Sequence, residues 1–166
     1  MWQQYLQEII AGNNKTLARC ISLIENEFAG YEELLQSLPF SSTKIIGITG
    51  PPGAGKSTLV DALIELLVAK GKKIGILCVD PSSPFNLGAV LGDRIRMSDW
   101  YIHPDVFIRS LATRGSMGGL HPKIIEITDL MKVFPFDHII VETVGVGQSE
   151  IEIAGLADTT VVVVVP

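Results

Sequence analysis

The sequence predicts an α/β fold, a mostly parallel sheet with helices on both faces, preceded by a short helical segment. Three observations carry that expectation. Apolar runs of strand length recur at 44–49, 74–79, 106–110, 138–142 and 160–165, and helix-patterned stretches at 57–70 and 123–134 alternate with them, as parallel crossovers require. Within the last run, Val161–Val165 is continuously apolar rather than alternating, the pattern of a strand buried on both faces, and is therefore expected at the centre of the sheet. Between the first run and the first helix pattern stands Gly50-Pro51-Pro52-Gly53-Ala54-Gly55-Lys56-Ser57, which spells G-x-x-x-x-G-K-S, a phosphate-binding loop in its strand–loop–helix setting.

The setting supplies the physics. A loop joining a strand end to a helix start aims several backbone N–H groups at one place, where the helix dipole also favours negative charge. Glycines at 50, 53 and 55 let the backbone curl around an anion. Lys56 can reach the outer phosphates as a point charge, and the Ser57 hydroxyl can ligate a magnesium ion that bridges phosphate oxygens. A glycine-rich turn that binds nothing is the alternative, and the complete motif in this context weighs against it. The expected phosphate contacts are Gly50, Pro51, Pro52, Gly53, Ala54, Gly55, Lys56, Ser57 and Thr58.

With 166 residues the chain fits one domain with a real core, and 47% hydrophobic against 19% charged residues excludes a disordered chain. A net charge of −5 argues against a nucleic-acid surface. Cys20 and Cys78 lack C-x-x-C spacing and read as reduced, packed residues of a cytoplasmic protein. No stretch is apolar enough to span a bilayer, and residues 1–12 lack the pattern of a signal peptide.

Before the loop, Tyr5, Leu6, Ile9 and Ile10 fall at helical spacing. The break Gly12-Asn13-Asn14 follows, and then Leu17, Ala18, Ile21 and Ile24 repeat the pattern. A third short helix is expected over 31–38, between Gly30 and Pro39. These helices read as an appendage packed on the nucleotide domain, with a partner or dimer contact as the alternative, so the division expected is 1–40 helical and 41–166 nucleotide-binding. Gly71 is placed to end the helix after the loop, and Pro122 suits a first helical position.

In open parallel sheets ligands sit outside the carboxyl ends of the strands. The second run leads into Asp80-Pro81-Ser82-Ser83-Pro84, and Gly92-Asp93-Arg94 follows in the same loop; the fourth ends in Glu142-Thr143-Val144-Gly145. A carboxylate there, beside Ser57, could hold magnesium directly or through water, and Gly145 could donate its N–H to a terminal phosphate. Such carboxylates otherwise serve as caps or turn residues. Arg109 and Arg114 could steady phosphate charge, although a structural role is favoured for both. His103, His121 and His138 have no metal-ligand spacing. Trp100 and Tyr101 are expected to pack rather than to form a partner patch.

Four segments make a resemblance specific: Ile46-Gly47-Ile48-Thr49-Gly50 through Leu59, Val79-Asp80-Pro81-Ser82-Ser83-Pro84-Phe85, Leu91-Gly92-Asp93-Arg94-Ile95-Arg96-Met97, and Val141-Glu142-Thr143-Val144-Gly145-Val146-Gly147-Gln148-Ser149-Glu150. Over most of 12–166 the chain resembles the methylmalonyl-CoA mutase-associated GTPases, the MeaB/ArgK family. The resemblance implies a phosphate-loop GTPase that acts as a chaperone for an adenosylcobalamin-dependent mutase; members were earlier labelled ATPases or kinases of basic amino-acid transport. It implies that Lys56 and Ser57 serve phosphate and magnesium, that Asp80 and Asp93 belong to a first switch, and that Glu142 to Gly145 form a second, so that Ser57, Asp80 and Glu142 are the metal candidates and Lys56, Asp80, Asp93 and Glu142 the catalytic ones. Asn86-Leu87 and His121-Pro122-Lys123 depart from the family pattern, off the phosphate contacts. The chain stops at Pro166, where the family continues through a third switch, an N-K-x-D base-reading motif and a helical dimerisation arm. Guanine selectivity therefore rests on the resemblance, and homodimer formation through that arm is not expected.

The resulting expectation is a magnesium-dependent GTPase in which Asp80 or Asp93 positions the attacking water. The alternatives are an ATPase or kinase, and a catalytically silent mutase-binding fragment. Two structural expectations follow. The strand entering Gly50 and the strand ending at Glu142 should be immediate parallel neighbours, unlike the many ATPases that insert a strand between them, and the run ending at Val165 should leave an apolar patch that favours self-association.

Overall fold

The computed structural model describes residues 1–80, 98–113, 120–143, 145 and 149–166, with Asp80 and Ser149 described by their backbone alone. Three helices come first: α1 (Trp2–Ile10), α2 (Asn14–Glu25) and α3 (Tyr31–Gln36). The expected break at Gly12-Asn13-Asn14 is a cap, since the Asn13 side chain accepts from the N–H groups of Lys15 and Thr16, which is worth about 1 kcal/mol. The first helix buries only Ile9, whereas the second buries Leu17, Cys20, Ile21 and Ile24.

Next come β1 (Lys44–Thr49), α4 (Lys56–Ala69), β2 (Ile74–Asp80), α5 (Ser98–Tyr101), β3 (Val106–Ala112), α6 (Ile124–Lys132), β4 (His138–Glu142), α7 (Ser149–Leu156) and β5 (Thr159–Val162). Gly71 follows the end of α4 with φ 72°, donating to the Val68 carbonyl, as a helix-terminating glycine does. Pro122 lies just outside α6, whose N-cap is Lys123, so the helix starts later than the proline had indicated. The helices α5 and α7 were not expected: α5 has only four residues, and α7 opens with apolar and charged residues in alternation.

Among the described residues the strands form one parallel sheet in the order β3-β2-β4-β1-β5. Side chains alternate across it. Ile139 and Val141 face a large core that includes α1, α2, α3, α6 and Ile153 of α7, while Ile48, Ile74, Ile76 and Ile140 meet Val60 and Ile64 of α4 on the other face. Helices thus cover both faces, as expected. Cys20 and Cys78 are both buried, and burial pushes the Cys20 thiol up to about 11.

The placement of the run at 160–165 requires correction. It is an edge strand paired with β1, not a central one, and only Thr159–Val162 is regular strand. Val161 and Val163 pack towards α4, but Val162, Val164 and Val165 are more than half exposed. A valine run shows that a strand suits cover on both faces; the neighbours that supply the cover are a separate matter, and among the described residues β1 is the one strand beside it. The expected apolar patch is present in those three valines.

Polar ties fasten the N-terminal helices to the sheet. Arg109 on β3 donates to Ser22 Oγ at 2.8 Å and pairs with Glu25 Oε2 at 2.5 Å. Lys123 reaches the Tyr31 hydroxyl and Glu27 Oε1, each at 2.9 Å, and the hydrogen bonds it donates to Tyr31 and Glu27 hold its ammonium well above the usual lysine range. Arg109 therefore joins α2 to the sheet and is no arginine finger. Arg114 lies outside the described residues.

Candidate functional site: the phosphate loop and the ends of β1 and β4

β1 and β4 are immediate parallel neighbours whose last registered pair is Ile48 with Glu142. No strand lies between them, which meets the expectation for a GTPase and sets the chain apart from ATPases with an inserted strand. Past that pair the two chains diverge: β1 turns at Gly50 into the loop, and β4 runs through Thr143 towards Gly145.

The loop is held by its own sequence. Gly50 has φ 142°, and a Cβ placed there would lie 2.1 Å from the Val163 carbonyl oxygen, so only glycine fits where the backbone after β5 runs alongside. Ala54 N–H donates to the Pro51 carbonyl, and α4 starts at Lys56 behind Gly55, which supplies no side-chain cap. The N-cap residue thus supplies no side-chain acceptor to the first turn of α4, and a helix head of this kind is where an anion is stabilised.

Two charged side chains meet at this head. Lys56 is buried, and its ammonium donates to the carbonyl oxygens of Gly50 at 2.9 Å and Pro51 at 3.1 Å, an arrangement that folds the lysine over the loop. Glu142 is also buried, and Ser57 Oγ donates to its Oε1 at 2.9 Å. A serine hydroxyl and a carboxylate side by side form a hard-oxygen pair of the kind magnesium takes, so the residues present fit that ion, with the cationic lysine and the helix head fitting phosphate.

Gly145 completes the enclosure. Its φ is 78°, and an added Cβ would stand 1.9 Å from the Gly50 carbonyl oxygen and 2.8 Å from Lys56 Nζ. The backbone at Gly145 thus lies directly against the phosphate loop. Asp80 ends β2, two residues beyond Cys78, the register partner of Glu142, so its backbone reaches the same end of the sheet. Asp93 lies outside the described residues.

Two contacts were missed in the sequence. Thr143 Oγ1 donates to Thr49 Oγ1 at 2.9 Å, both residues being fully buried or nearly so. The indole N–H of Trp100 on α5 donates to Asp61 Oδ1 at 2.7 Å, which docks that short helix on α4; Trp100 packs there, while Tyr101 is partly exposed. For the threonines a signal existed, since each is the polar residue that ends an apolar strand run.

Residues 17–166 match the family model described as methylmalonyl-CoA mutase-associated GTPase MeaB. The chain is 45% identical over 168 residues to a putative GTPase of Pyrococcus abyssi, covering 100% of this chain and 52% of that protein. It is 38% identical over 159 residues to the GTPase ArgK of Escherichia coli, covering 92% and 48%. A crystal structure titled LAO/AO transport system kinase superposes with a TM-score of 0.78 at 28% identity, covering 98% of this chain and 49% of that one. The chain thus spans about half the length of the curated relatives it matches. A phosphate loop on a parallel sheet, the neighbouring β1 and β4, and a family match over 17–166 lead to one conclusion: the chain belongs to the MeaB family of methylmalonyl-CoA mutase-associated GTPases.

Proposed function

We propose that this chain carries the phosphate-binding and magnesium-binding half of a GTPase that serves as a chaperone for an adenosylcobalamin-dependent acyl-CoA mutase in the cytoplasm. The observation that carries the reading is the contact of Ser57 with Glu142 at the head of α4, beside Lys56. The family's name supports the mutase partner. Residues 41–166 form the nucleotide-binding part and 1–40 a helical buttress tied on through Arg109 and Lys123.

The chain's own residues divide the work. The N–H groups of Gly53 to Thr58 and the Lys56 ammonium bind the triphosphate and offset the charge that develops on the outer phosphate. Gly145 offers its N–H to that phosphate from the opposite side. Ser57 and Glu142 hold magnesium, with Asp80 as a further candidate, and magnesium when bound neutralises phosphate oxygens as a Lewis acid. Asp80 or Asp93 orients the attacking water. Lys56 exchanges its bonds to the loop carbonyls for bonds to phosphate, so the charge is already in place before the ligand arrives.

None of these residues reads the base, because triphosphate and magnesium are common to GTP and ATP. Titrating this chain with both nucleotides in magnesium is expected to give affinities within roughly tenfold of each other, about 1.4 kcal/mol. No binding of either would overturn the reading, and a hundredfold preference for GTP would show that residues before Pro166 contact guanine. Co-elution with an adenosylcobalamin-dependent mutase tests the partner.

A further inference from the structure

We infer that Thr49 and Thr143 are a positioning pair for the magnesium site: their buried hydroxyl bond fixes the angle at which Glu142 meets Ser57. The inference rests on the reading of Ser57 and Glu142 as metal ligands and adds to it two residues that touch neither metal nor phosphate.

The geometry starts where the β1–β4 ladder ends, at Ile48 and Glu142. One residue farther on, past the end of β4, two bonds continue the pairing with β1. Thr143 N–H donates to the Ile48 carbonyl at 3.0 Å, and Thr143 Oγ1 donates to Thr49 Oγ1 at 2.9 Å. Thr49 is 0% and Thr143 2% exposed, so water offers neither hydroxyl a substitute partner, and an unpaired one would carry its full desolvation cost.

Alternation puts this bond on the opposite face of the sheet from the metal candidates. Ile48 and Ile140 face α4, as does Glu142, which reaches Ser57 there. Thr49 and Thr143 follow them by one residue and so point to the face of α6 and α7. The same two strand ends are therefore joined on one face by Thr49 with Thr143 and on the other by Ser57 with Glu142. A twist of β4 that moved Glu142 away from Ser57 would break the threonine bond, and the peptide between Glu142 and Thr143 transmits the constraint. Thr49 also precedes Gly50, whose carbonyl accepts from Lys56, and Thr143 stands two residues before Gly145, which lies against that carbonyl.

Valine matches threonine in shape but lacks the hydroxyl. The single variants Thr49→Val and Thr143→Val each leave one buried hydroxyl unpaired, whereas the double variant removes both partners and should be nearly neutral for stability. The measurement is the magnesium concentration that half-saturates triphosphate binding to the 166-residue chain, with magnesium-free triphosphate affinity and thermal midpoint recorded alongside. The expected result is a requirement for magnesium raised about tenfold in Thr143→Val and in the double variant, with magnesium-free affinity unchanged, the thermal midpoint of the double variant near that of the native chain, and Thr143→Ser restoring the native requirement. A double variant with native magnesium dependence would reduce the pair to a packing contact and overturn the inference. So would an equal loss of magnesium-free affinity, which would indicate general damage to the loop. Native binding with no magnesium dependence at all would sink the reading of Ser57 and Glu142 and the inference together.

Discussion

Ser57 and Glu142, 85 residues apart in the chain, are joined by a 2.9 Å hydrogen bond from the serine hydroxyl to the carboxylate. The bond crosses from the head of α4 to the end of β4, and it exists because β4 lies next to β1 in the sheet.

Glu142→Gln keeps the shape of this contact and removes its charge. Magnesium dependence of triphosphate binding should weaken by at least tenfold, about 1.4 kcal/mol. The fold should hold, and the thermal midpoint should stay level or rise, because a buried carboxylate bears a desolvation cost that the amide escapes. A magnesium titration beside a melting curve checks both, and a lowered midpoint with native magnesium affinity would show the glutamate to be structural.

Lys56→Ala removes the cation folded over the loop. Triphosphate affinity should fall by about 1.5–3 kcal/mol, the worth of a charge-assisted contact, with an unchanged circular dichroism spectrum, since the ammonium serves loop carbonyls and ligand rather than the apolar core. Undiminished affinity by calorimetry would make the loop a plain turn.

Gly145→Ala is expected to damage the site more than its size suggests. The added Cβ would fall 1.9 Å from the Gly50 oxygen at φ 78°. The left-handed backbone alone costs about 1–2 kcal/mol, and the overlap involves backbone, which has little room to yield. Weakened triphosphate binding and a lower thermal midpoint should appear together, and native values for both would refute the close approach of Gly145 to the loop.

Asp158 sets an acid limit. Its Oδ2 accepts from Ile45 N–H at 2.8 Å, and that backbone bond, with Lys44 nearby, holds its carboxyl below the usual aspartate range. A lowered folded-state value means stability that is present above the unfolded value, about 3.9, and lost as pH falls through the folded one. Asp158→Asn should therefore lower the thermal midpoint modestly at neutral pH, the solvent-exposed pair with Lys44 adding little to the loss, and flatten the decline below about pH 4, where the native carboxylate loses the same contribution. An acid limb identical to that of the native chain would assign the loss to other carboxylates.

The phosphate loop was legible because its chemistry is local: eight consecutive residues specify the turn, the helix head and the cation. The five strands were legible for the same reason, as runs of apolar residues bounded by polar ones. The helix α7 escaped because Glu150, Ile151, Glu152 and Ile153 put apolar and charged residues in strict alternation over one helical turn, a pattern closer to a strand's period. The edge position of β5 escaped because a valine run carries no record of its neighbours.

The sequence by itself determined the five strands, the helix that follows the loop and the phosphate-loop motif, since backbone propensity, side-chain period and loop chemistry act between residues close in the chain. Tertiary structure alone decided that Arg109 would bind Glu25, that Thr143 would meet Thr49 and that Glu142 would face Ser57. Those pairs depend on which strand lies beside which, and strand order follows from burial of both sheet faces summed over the whole chain, a quantity that no single segment contains.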